Sequence, residues 1–151
     1  LSCAWRADLA ELDDLDDLAR ALAPSSERLA ETVDLGRAFV AAVGPVWNLS
    51  LRPMAYPVAV GAASRAAGLP LGETLRLYLH AFAAALISAG VRCIPLGQTE
   101  GQAILRGFGG LCDEVAEEAL PATTDDIGSA VFLADVASMR HETQYSRMFR
   151  T

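Results

Sequence analysis

Apolar residues recur at three- and four-residue spacing along most of the chain, and that period predicts helices rather than strands. From Asp8 to Ala23, Leu9, Leu12, Leu15, Leu18, Ala19 and Leu22 form one stripe, with Asp13, Asp14, Asp16 and Asp17 on the remaining faces as a solvated surface. Pro24 blocks continuation, and Ser25 or Ser26 caps a second helix running to about Val43. Its core face is Leu29, Val33, Phe39, Val40 and Val43, its small residues Gly36 and Ala38 permit close approach to another helix, and Gly44-Pro45 stops it. After a loop, Tyr56-Pro57 starts a third helix, rich in alanine, that ends at Gly68-Leu69-Pro70. The fourth, about Leu71 to Ser88, is apolar almost all round, which predicts a buried central helix. A fifth runs from Thr99 to about Leu120, with Gly107, Gly109 and Gly110 predicting a bend, and a last one covers about Ile127 to Glu142. The expectation is an all-α fold: one domain over 1–151, a bundle of about six helices around the central helix at about 71–88.

The sharpest interruption is Val91 to Gln102. Pro95 disfavours helix at Ile94, Gly97 permits a turn, and Thr99 with Gln102 has capping-box spacing. Helix, break, helix follows from this chemistry. Gln98 and Gln102 remain open: capping or solvated amides, or groups that meet a partner. Arg92, between Val91 and Cys93, is open in the same way, between a structural ion pair and a partner contact.

Composition narrows the function. A chain of 151 residues, 52% apolar, is long enough for one sizeable core and excludes a disordered chain. A net charge of −7 argues against nucleic acid as a partner. Every basic residue is arginine, so neither a Schiff-base lysine nor a phosphate-loop lysine is available. Cys3, Cys93 and Cys112 are odd in number and lack C-x-x-C spacing, so a disulfide framework is not expected and a reducing, cytoplasmic setting is. The uncharged stretch from Leu77 to Val91 is too short for a membrane span and contains His80, so no membrane role is expected. His80 reads as a hydrogen-bonded core histidine, or else as a ligand or base. No nucleophile–base pair and no His/Cys cluster for zinc or nickel is found in the spacing. An alternative of a different class is a small helical enzyme using His80 or His141 as a general base; an acid beside a histidine in a deep pocket would favour it.

The acidic residues crowd the first 34 positions, whereas the last twelve hold Arg140, His141, Arg147 and Arg150 against Glu142 alone. The tail from about Thr143 lacks core periodicity yet keeps Tyr145, Met148 and Phe149 among arginines, the residue types enriched at protein–protein hot spots. Partner docking, fraying and self-packing all fit that composition.

Gly90 to Gln102 (Gly-Val-Arg-Cys-Ile-Pro-Leu-Gly-Gln-Thr-Glu-Gly-Gln) resembles the central motif of the urease accessory protein UreF family. Asp126-Ile127-Gly128-Ser129-Ala130 and the string from Arg140 to Thr151 resemble its C-terminal end, and Glu31 to Phe39 fits more loosely. The resemblance covers the chain from the second helix onward. It implies an all-helical, non-catalytic protein without a cofactor. Such a protein tends to dimerise and joins UreD (UreH in some organisms) and the GTPase UreG in delivering nickel to apo-urease. Tyr145, Arg147, Phe149 and Arg150 match the tail tied to UreD/UreH binding and UreG recruitment. Arg92 matches a basic position before Pro-Leu-Gly-Gln that is linked to UreG-dependent activation. Gln98, Gln102, Arg140 and His141 complete the expected partner-binding set. The family's N-terminal Leu-Pro-x-Gly-Gly-like stretch has no counterpart here, so a shortened chain with an exposed patch, where the absent helices would pack, is expected.

Overall fold

In a computed structural model, residues 1–146 are described. They form α1 (Ser2–Arg6), α2 (Glu11–Ala21), α3 (Ser26–Trp47), α4 (Tyr56–Ala66), α5 (Leu71–Cys93), α6 (Gln98–Gly107), α7 (Gly109–Ala119), a 3-10 turn (Thr124–Asp126) and α8 (Phe132–His141). The fold is all-α, as the spacing predicts.

The helix at the centre is α4, not α5. Seven consecutive α4 residues, Val58 to Ser64, are buried, and α1, α2, α3 and α5 all pack on it. Small side chains make this possible, because backbones can approach α4 from several sides. A Cβ on Gly61 would lie 2.6 Å from the carbonyl oxygen of Leu1, and one on Gly36 of α3 would overlap the carbonyl oxygen of Met54, just before α4. The core therefore joins Ala4, Leu12, Val40, Met54, Val58, Ala59 and Ala62, with Phe39 and Leu15 against it. In α5 only Thr74 and Leu75 are buried, and Leu77 is 70% exposed. All-round apolarity reads as burial by composition, but α5 is a wall packed on α4, α6 and α7. It also runs to Cys93, and by length and composition alone it is apolar enough to cross a membrane. The ground of insufficient length is thus overturned. Its Arg76 is paired with Asp113 and Glu117 of α7, an ion-pair pattern of a helical bundle.

Local chemistry set several other boundaries. Pro45 lies inside α3, because a proline in the last turn removes a single hydrogen bond; the helix ends at Asn48, in the left-handed region at φ 52°, where Leu49 N–H reaches Gly44 O. Ser25 caps α3 as expected, accepting from Arg28 N–H at 3.2 Å. Ile94 is extended before Pro95, as expected. Thr99 does not cap: α6 begins one residue earlier, at Gln98, so Thr99 already sits in the first turn, and Gly97 takes an ordinary extended conformation. The capping box is instead at Thr123 and Asp126, whose carboxyl is held below its usual range by the Thr123 backbone N–H and hydroxyl. The glycine-rich bend is present and separates α6 from α7 at Phe108. The last helix starts at Phe132 rather than Ile127, and α1 carries too few residues to show a period.

The aspartate face of α2 is not uniformly solvated. Asp16 is buried, accepts Ala55 N–H at 2.6 Å, and lies 3.1 Å from Arg20 and 3.4 Å from Arg52. It ties α2 to the entry of α4.

Candidate functional site

The turn between α5 and α6 separates into residues that build it and residues that it displays. Gly101 is buried where α6 crosses α5: a Cβ there would lie 3.1 Å from Val91 Cγ2 and 3.2 Å from Ile87 Cγ2. Leu96 packs beside Gly90, and Pro95 holds Ile94 out of helix. Gln98 and Gln102 do neither. Both are exposed, and neither side chain makes a hydrogen bond among the described residues. Arg92 is exposed in the last turn of α5, where a cation suits the negative end of the helix dipole. Three of the predicted partner-binding residues thus stand together around one exposed turn.

The second predicted group lies on and after α8. Arg140 is exposed and Tyr145 wholly so. His141 is half-buried, its Nδ1 2.5 Å from Glu27 Oε2. Arg147, Phe149 and Arg150 lie outside the described residues. The structure places these groups on different elements: α8 rests on α3, whereas the turn joins α5 to α6.

His80 is exposed on the outer side of α5, so it is not a core histidine. His141 does have an acid beside it. Two apolar grooves are formed among the described residues, and neither histidine lines them. Among the described residues, no group of three or more His, Cys, Asp or Glu is placed to hold a metal ion.

The two grooves went unseen in the sequence, because their lining comes from stretches far apart in the chain. One, of about 310 Å³, lies between α3, α4 and α5, with Phe39, Trp47, Tyr56, Leu77 and Tyr78 in its wall. Phe39 meets Tyr56 edge-on at 5.7 Å between ring centroids, and Tyr56 meets Tyr78 at 5.6 Å. Burial, with Tyr56 alongside, pushes the Tyr78 phenol up to about 12. The other groove, of about 220 Å³, lies between α5 and α7, lined by Phe82, Leu86, Phe108, Leu111 and Val115. These five side chains are all substantially exposed, so the groove is an exposed apolar patch.

A family model described as UreF matches residues 1–109. The chain belongs to the UreF family. Its relatives include a urease accessory protein UreF from Roseobacter denitrificans, 50% identical over 151 residues, which takes in 100% of this chain and 68% of that protein. A UreF from Cereibacter sphaeroides is 53% identical over 141 residues, covering 93% of this chain and 67% of its own length. A UreF from Agrobacterium fabrum is 45% identical over 157 residues, with coverages of 100% and 70%. The family model ends at the first residue of α7, so the rest of α7, α8 and the tail are matched through the relatives that span the whole chain. A UreF is by name an accessory to urease, a helper of another enzyme rather than that enzyme.

Proposed function

We propose that this UreF chain is a non-catalytic adaptor in urease maturation. In this reading the tail binds UreD/UreH, the turn bearing Arg92, Gln98 and Gln102 faces the GTPase UreG, and the assembly inserts nickel into apo-urease in the cytoplasm. The chain works as a homodimer in that assembly. Family membership supports the assignment to urease maturation. The observation that carries the adaptor mechanism is the exposure of Gln98 and Gln102, which the fold of the turn does not use. Side chains of this kind serve recognition when a scaffold presents them. The exposure of Tyr145 and of Arg140 supports the same reading for the tail, since aromatic and arginine side chains anchor interfaces.

The test is a pull-down with purified UreD/UreH and UreG. Tyr145→Ala and Arg147→Ala are expected to weaken UreD/UreH capture at least tenfold with unchanged helical circular dichroism. Arg92→Ala with Gln98→Ala is expected to spare UreD/UreH and lower UreG recruitment. Capture unchanged in both variants would remove the assignment of these residues.

A further inference from the structure

Among the described α-helices, α8 alone buries no residue. Its apolar side chains are turned outward: Leu133 is 88% exposed, and Phe132, Val136 and Met139 are exposed as well. Ten residues are too few for a helix to hold itself together in water, so something other than packing keeps α8 in place.

What holds it is polar and concentrated at one point, the N-terminus of α3. Ser138 Oγ lies 2.7 Å from Ser25 Oγ, the Ser26 backbone N–H donates to Glu142 Oε1 at 2.7 Å, and His141 Nδ1 lies 2.5 Å from Glu27 Oε2. Ser138, His141 and Glu142 fall at three- and four-residue spacing, so they share one face of the helix. One of the three contacts meets a first-turn backbone N–H, a group that an α-helix leaves unsatisfied at its start, and another meets the capping hydroxyl of Ser25, which also accepts from Arg28 N–H. On the other side, residues 127–131 are exposed and outside any helix, with Gly128 in open space. The Thr123–Asp126 capping box closes the turn that precedes this segment.

We propose that α8 is a latched arm. The clasp of Ser138, His141 and Glu142 on Ser25, Ser26 and Glu27 holds it against α3. When the clasp opens, residues 132–141 leave α3 and lose their helix, hinged at 127–131, while the core around α4 stays intact. The arm stands on these contacts and not on which protein the chain binds. Where the proposed docking is also correct, His141 is engaged by Glu27 in the latched state and is released for a partner when the arm opens.

Hydrogen–deuterium exchange on the chain alone tests this. In a Glu27→Gln, Ser138→Ala, Glu142→Ala variant, peptides covering 132–141 are expected to exchange at least tenfold faster than in the unaltered protein, while peptides covering 58–64 keep their rate. Ser138→Ala alone, confined to α8, is expected to give a smaller acceleration in the same peptides. Equal rates at 132–141 in the unaltered and triple-variant proteins would overturn the latch. Acceleration at 58–64 in step with 132–141, in the single as in the triple variant, would overturn the independent arm.

Discussion

At the scale of single residues, three positions carry more than their composition suggests. Asp16 is the clearest. A carboxylate in an aspartate-rich helix reads as surface charge, and three of the four aspartates on α2 are indeed exposed. What distinguishes Asp16 is the backbone N–H of Ala55, nearly forty residues away, which no local pattern reveals. Removing the carboxylate leaves that buried N–H without a partner. Asp16→Ala is expected to cost about 2–3 kcal/mol in urea denaturation, whereas Asp14→Ala stays within about 0.5 kcal/mol. Gly36 is the second: its lack of a Cβ lets α3 press on the chain at Met54, so Gly36→Ala is expected to destabilise by about 1–3 kcal/mol in the same assay. Tyr78 is the third. Its raised pKa means that the folded state holds the phenolic proton more tightly than the unfolded chain, whose value is near 10.0. Its contribution is complete below pH 10 and is lost as the pH rises through about 12. Absorbance at 295 nm is expected to show one tyrosine ionising well above the others, and urea midpoints are expected to fall across that window.

At the scale of elements, periodicity located most helices, and the errors have physical causes. The apolar stripe of α2, the serine cap of α3 and the Tyr56-Pro57 start of α4 were legible, because each rests on contacts within a few residues. The choice of central helix was not. Large apolar residues dominate any hydropathy reading, so α5 looked buried; α4 is buried because its side chains are small enough for three-dimensional approach, which composition records only as alanine and glycine. Pro45 misled in the same way: a proline costs little where the helix was about to end. The glycines predict a bend within one helix, whereas the structure divides that stretch into α6 and α7, and the division supplies a test of the glycine cause. Gly107 has open space around it and φ in the ordinary helical range, so Gly107→Ala is expected to raise stability by about 0.5–1 kcal/mol in urea denaturation. An unchanged or lowered midpoint would mean that the break depends on glycine for another reason.

At the scale of the whole molecule, the candidate site was legible as motif and not as geometry. Pro-Leu-Gly-Gln-Thr-Glu-Gly-Gln pointed to the UreF family, which the family match bears out, but only the fold divides it into Leu96 and Gly101, which pack, and Gln98 and Gln102, which are displayed. The aromatic and apolar grooves were not legible, because their walls come from α3, α4, α5 and α7 together. The resulting molecule presents one polar turn at the α5–α6 junction and one arm at its C-terminal end, on separate elements of a core built around α4. An adaptor that joins two partners needs two such surfaces. The most direct measurement is size-exclusion co-elution of the chain with UreD/UreH, alone and then with UreG and GTP, using the intact chain and one ending before Thr143. The account predicts that the intact chain co-elutes with UreD/UreH and then with UreG, and that the shortened chain elutes alone while retaining its helical spectrum. Co-elution of the shortened chain equal to that of the intact one would contradict it.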